Sequence, residues 1–167
     1  MSKNFLNPWN WFWKNIIVCY YLDMENTYYK VMALDYGDVR IGIALSDVTR
    51  FLASGYENYT RKAIVEDCMH IAEIVNANNV KIIVLGLPIN MDGSKGERVE
   101  KTYAFAEELS KYTDAKIEYL DERLTSVSAE KILISADVSR KKRKEVLDKL
   151  SATIILQDYL DMNYRKN

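Results

Sequence analysis

The sequence predicts an α/β domain, a five-stranded mixed sheet with helices on both faces in the order βββαβαβα. Two observations predict it. Short apolar runs broken by turn residues come before any helical periodicity. Beyond residue 60, strand-like runs alternate with runs of helical spacing. Strands that alternate with helices pair in parallel through crossovers, whereas a leading hairpin pairs antiparallel, so the sheet is mixed.

Val31-Met32-Ala33-Leu34 is the first strand, ending at Asp35, and the turn residues Gly37-Asp38 lead into a second from Ile41 to Leu45. A third strand is expected from Phe51 to Tyr59. Ile64, Val65, Cys68, Ile71, Ala72 and Val75 then follow the spacing of a helix with one apolar face. Val80 to Leu87, apolar apart from Lys81, is a strand of the kind buried on both sides, closed by Pro88 and the turn Asn90-Met91-Asp92-Gly93. Ser94 with Glu97 reads as a capping box for a helix whose apolar face includes Val99, Tyr103, Ala106 and Leu109. Ala115 to Leu120 is the fifth strand. Thr125 or Ser126 caps a helix from Val127 to Ile134, and a last helix runs from about Lys141 to Leu160.

The 167 residues suffice for one domain with a core and not for two, so one site is expected. Hydrophobic residues at 49% and charged residues at 28% describe a globular chain rather than a disordered one. Cys19 and Cys68 are far apart and belong to no CxxC or Cys/His cluster, which excludes a disulfide framework and a structural zinc site and points to a reducing, cytoplasmic setting. The net charge of −1 excludes a polycation, yet Arg140, Lys141, Lys142, Arg143, Lys144 and Lys149 crowd one stretch against only Glu145 and Asp148.

Residues 1–23 read as an N-terminal extension separate from a domain spanning 24–167. The extension holds all three tryptophans, and its apolar run from Ile16 to Leu22 is about a third of a membrane span. No membrane association is expected. Met24 stands just before the first strand, so the extension is either an upstream stretch read from a misassigned start or a partner-docking arm.

Chemistry is carried by acids at strand ends. The string Leu34-Asp35-Tyr36-Gly37-Asp38-Val39-Arg40-Ile41-Gly42-Ile43-Ala44-Leu45-Ser46-Asp47 fixes a carboxylate at the close of a strand, where it suits a hard cation, and Gly37 leaves room for a phosphate. An Asp before a turn glycine also serves simply as a turn cap. Asp121-Glu122-Arg123 follows the fifth strand, where a ligand site or a salt-bridged turn would use the same residues. Asp148 precedes Ser151 and Ala152 on the last helix, small neighbours that allow close approach to a sheet. The sole histidine, His70, lies in a helix distant in sequence from the acids and is expected to be structural.

The leading string, Val84-Leu85-Gly86-Leu87-Pro88 with Asp92-Gly93, Asp121-Glu122-Arg123-Leu124-Thr125, and Asp148 to Gln157 together resemble, in order and spacing, the blocks of the YqgF/RuvX family, over about residues 30–160. The resemblance implies an RNase H-like fold and a nuclease that processes the 5′ end of precursor 16S rRNA. It also implies Asp35, Glu122 and Asp148 around Mg²⁺ or Mn²⁺, with Asp121 in reserve for Glu122. Arg40, Lys95 and Arg123 are candidate phosphate contacts beside the acids, and Lys141, Lys142 and Arg143 would extend the footprint. Holliday-junction resolvases carry an acid at the end of the fourth strand, where this chain has Gly86. Resolution of branched DNA is therefore the second reading, and a nucleic-acid-binding module without turnover the third. The Asp-x-Gly hairpin is also similar to the phosphate-binding strands of actin-like ATPases, but those close two such domains around a nucleotide.

Overall fold

The computed structural model describes residues 28–89, 96–122 and 140–164, with backbone only for 140–149. Its elements are β1 (Lys30–Tyr36), β2 (Arg40–Ser46), β3 (Ala53–Thr60), α1 (Ile64–Ala77), β4 (Val80–Leu87), α2 (Glu97–Leu109), β5 (Lys116–Asp121) and α3 (Arg140–Tyr164). The strands form one sheet in the order β3-β2-β1-β4-β5. β1 is antiparallel to β2, and β2 to β3, while β1, β4 and β5 run parallel. The mixed five-stranded sheet is the one the element order predicts.

Strand alternation sorts the apolar residues into two cores. Met32, Leu34, Ile41, Ile43, Ile83 and Leu85 face α1 and α2, meeting Cys68, Ile71, Phe105 and Leu109. Val31, Ala33, Ala44, Val84 and Leu120 face α3, meeting Ala152, Ile155, Leu156 and Leu160. Small alanines on the sheet let α3 lie close, and Gln157 ties the helix to β3 by accepting the Ala53 N–H at 2.9 Å. Among the described residues no helix is long and apolar enough to cross a membrane.

Three expectations need correction. β3 begins at Ala53 rather than Phe51. The Asp47 carboxylate takes the N–H groups of Thr49, Phe51 and Leu52, folding those residues into a loop and leaving Phe51 and Leu52 exposed. In α1, Ile64 and Val65 stay on the surface, because the buried position at that end belongs to Asp67; Ile74 joins the core instead. α2 starts at Glu97 behind Gly96 without a side-chain cap, so Glu97 is its first residue rather than the third of a capping box. Thr102 and Phe105 take the buried face, while Tyr103 packs edge-on against Tyr119 at 5.1 Å. Ser94 itself, the turn at 90–93, the helix from Val127 to Ile134 and the extension 1–23 lie outside the described residues.

A candidate active site at the strand ends

Asp35 and Glu122 are brought together by the sheet. Asp35 follows Val31 and Ala33 in alternation and so lies on the α3 face near the C-terminal end of β1. β4 and β5 run parallel to β1, so their C-terminal ends arrive at the same edge. Glu122 comes one residue after β5, two beyond Leu120 of the α3-facing core. Its carboxylate lies over Gly86 of β4: a Cβ built on Gly86 would stand 2.6 Å from Glu122 Oε1 and 2.7 Å from Ile155 Cδ1. Asp121, paired with Leu87, alternates toward the other face. Of the adjacent acids, Glu122 is the one that shares the face of Asp35.

Burial pushes the Glu122 carboxyl up to about 7, the negative charge of Asp35 adds to the shift, Arg98 opposes it, and Asp121 contributes least. Two carboxylates crowded at one edge resist joint ionisation, and a cation between them would relieve the strain. Because the folded value lies above the ordinary 4.5, the folded state binds the proton more tightly than the unfolded one. Below pH 4.5 Glu122 carries no penalty; stability falls as pH rises toward 7, and the loss is complete above it. In chelator-treated protein, Glu122→Gln is expected to flatten that decline and add on the order of 1–3 kcal/mol at pH 8, measured by urea unfolding at several pH values. An unchanged pH profile would refute the burial and the coupling.

The turn after Asp35 is clamped from behind. The Gly37 N–H donates to the Arg40 carbonyl at 3.0 Å, and a Cβ on Gly37 would stand 2.8 Å from that same oxygen. Backbone cannot yield there, so this position needs glycine. Arg61, just beyond β3, donates from Nη1 to the Gly37 carbonyl at 3.1 Å and from Nε to Asp67 Oδ2 at 3.0 Å, with its guanidinium 4.3 Å over the Tyr36 ring. Asp67 is fully buried and also accepts the Lys62 N–H. Lys101 of α2 reaches Asp38 at 3.2 Å. Nothing in the sequence periodicity pointed to this Arg61–Asp67 pair.

The remaining candidates divide cleanly. Arg40 is exposed at the start of β2, and alternation with Gly42 and Ala44 puts it on the face of Asp35. The backbone of Asp148 lies in α3, but its side chain and those of Lys141, Lys142 and Arg143 are outside the described residues, as are Lys95 and Arg123. Among the described residues no three potential ligands are grouped to hold a metal. Arg98, in the first turn of α2, was missed; its charge acts on Glu122, and the available signal was a cation opening the helix that follows β4. His70 is structural: its Nε2 is 2.9 Å from Glu57 Oε2, and its ring stacks on Tyr59 at 4.4 Å.

Comparison with known proteins agrees with this architecture. The structure of Thermus thermophilus RuvC in complex with a Holliday junction substrate superposes with a TM-score of 0.51, covering 81% of this chain and 96% of that one at 10% identity. A second Thermus thermophilus RuvC structure gives 0.50 over 80% and 96%. At that identity the likeness establishes the RNase H-like fold alone. In sequence, a protein of Halothermothrix orenii named "Putative pre-16S rRNA nuclease" is 50% identical over 132 residues, 79% of this chain and 94% of the relative. One of the same name from Halalkalibacterium halodurans is 49% identical over 139 residues, 82% of this chain and 99% of the relative. The family model described as "RuvX: Holliday junction resolvase" matches residues 29–162. With that span matched and close relatives aligned over almost their full lengths, the chain belongs to the RuvX family.

Proposed function

We propose that the chain is a divalent-metal-dependent endonuclease that hydrolyses phosphodiester bonds and processes the 5′ end of precursor 16S rRNA in the cytoplasm. The observation that carries the reading is the meeting of Asp35 with Glu122 at the strand ends, where burial and mutual charge push Glu122 up to about 7. A structural role gives no reason to bury one carboxylate beside another. The donor set is carboxylate oxygen, which suits Mg²⁺ or Mn²⁺ better than a softer ion. Asp35 and Glu122 would hold it, with Asp148 as third ligand. In support, Asp148 stands one helical turn before the buried Ala152 on the helix that covers this face. When bound, such an ion supplies positive charge for the attacking and leaving oxygens of an in-line displacement.

The protein's own groups do the rest. Asp35 is fixed by the β1 ladder and by the clamped turn behind it, so its oxygens start close to their working position. Arg98 and Arg40 provide positive charge for substrate phosphates around the acids, Lys95 and Arg123 are further candidates for phosphate contact by their place in the sequence, and Asp121 stands outside the ligand set. Lys141, Lys142 and Arg143 carry the footprint along the nucleic acid. Neutralising those three together is expected to weaken binding and flatten its salt dependence, the slope falling by about one unit for each phosphate left without its cation. An unchanged slope in a filter-binding titration against salt would reduce the run to a solvated face.

The family description keeps a second substrate in view, a four-way DNA junction. The deciding experiment incubates the purified chain with a precursor 16S rRNA fragment and with a synthetic junction, each with and without Mg²⁺ or Mn²⁺. Metal-dependent cleavage of the rRNA fragment is expected. Preferential cutting of the junction would move the assignment to resolution, and binding without cleavage would favour a silent binding module.

A further inference from the structure

Gly86 lies inside β4, paired with Leu120, and its backbone is not in the left-handed region that demands glycine. A glycine within a strand gives up packing and conformational entropy, so an alanine compatible with the backbone would ordinarily be favoured. What an added methyl group would meet explains the residue. The two nearest atoms are Glu122 Oε1 at 2.6 Å and Ile155 Cδ1 at 2.7 Å, followed by Glu122 Cδ at 3.4 Å. Real Cβ atoms do not approach so closely, so something must move. Both obstructing atoms are ends of flexible side chains, in contrast to the backbone carbonyl that faces Gly37. The sheet would tolerate a methyl group here; the position of the carboxylate would not.

We propose that Gly86 is a positioning residue: its missing side chain leaves the bed on β4 across which Glu122 reaches from β5 toward Asp35. The inference rests on the reading of Asp35 and Glu122 as the ligand pair. Glu122 must cross the β4 position because its own strand is the sheet edge and Asp35 stands on β1, on the far side of β4. Any side chain on the α3 face at that point of β4 lies in the path. The end of β4 therefore takes part in the site through the space it leaves and not through a donor atom.

The test is a set of variants of the full chain. Gly86→Ala is expected to keep its cooperative unfolding and far-ultraviolet spectrum while cleavage falls about tenfold or more and Mn²⁺ binding weakens in calorimetry. In a Glu122→Asp background, where the shorter side chain withdraws the carboxylate, the same change is expected to cost less than about twofold. Ile155→Val, which deletes only the second obstructing atom, is not expected to rescue Gly86→Ala. A crystal structure of Gly86→Ala is expected to show Glu122 displaced, a readout that stands even if the wild-type chain cleaves neither substrate and the nuclease reading fails. Unaltered Mn²⁺ binding with Glu122 in place would overturn the inference. So would equal losses in both backgrounds, or rescue by Ile155→Val, which would assign the effect to helix packing.

Discussion

Asp35→Asn is expected to lower cleavage by about a thousandfold or more while the protein remains folded. The substitution removes one negative charge at nearly constant volume, and Asp35 is half-buried at a strand end, so the ladder with Gly42 is untouched. A neutral amide offers a hard cation one weak oxygen in place of an anion, which removes much of what holds the ion in place. The variant has a second signature. The charge of Asp35 is one of the causes raising the Glu122 carboxyl, so its loss is expected to bring Glu122 back toward the ordinary range. Stability at neutral pH should then rise as activity disappears. Thermal unfolding, Mn²⁺ calorimetry and single-turnover cleavage check the three parts. Full activity in a folded Asp35→Asn protein would end the ligand assignment.

Asp35 was legible because three local signals coincide there: an apolar run, its abrupt end in an acid, and a turn glycine two residues on. The parallel strands were legible for a similar reason, since β4 is apolar from Ile82 onward and buried on both faces from Ile83 to Leu87. The choice between Asp121 and Glu122 was not. It depends on which face β5 presents to α3, and a short strand with one buried residue among half-buried and exposed ones leaves that open until its register with β4 is known. Phe51 illustrates the opposite failure. Its β propensity argues for a strand, but the Asp47 carboxylate competes for the local N–H groups and holds a loop.

Gly86 and the Arg61–Asp67 pair escaped for a deeper reason. Their roles exist only between elements that meet through the topology. Gly86 is read as a strand residue until Glu122 arrives from another strand to lie over it. Arg61 and Asp67 are six residues apart, yet the bond that matters most for the site runs back to Gly37, on a hairpin formed much earlier in the chain. Composition and periodicity report on faces and ends of single elements. They carry no record of which side chain will occupy the space above another.

Asp67→Ala is expected to destabilise the domain by about 3–5 kcal/mol, because it leaves the Arg61 guanidinium largely buried without its counter-ion. Asp67 is wholly inaccessible and Arg61 keeps only 19% of its side chain exposed, so water cannot replace the missing carboxylate. Against a total stability of about 5–15 kcal/mol for a domain of this size, that is a large fraction. The Lys62 N–H loses its acceptor in the same change. Asp67→Asn keeps an oxygen for that N–H and is expected to fall between wild type and Asp67→Ala. Replacing both partners with apolar residues, as in Arg61→Met with Asp67→Leu, is expected to recover part of the loss, since no buried charge is then orphaned. Arg61 Nη1 also holds the Gly37 carbonyl two residues beyond Asp35, so freeing the guanidinium loosens the turn that fixes the acid. Cleavage by Asp67→Asn, assayed where the protein is still fully folded, should therefore fall with Mn²⁺ affinity. Urea unfolding of wild type, Arg61→Met, Asp67→Leu and the double variant supplies the cycle; if the double variant loses the plain sum of the two single losses, the pair is not coupled and the clamp is incidental.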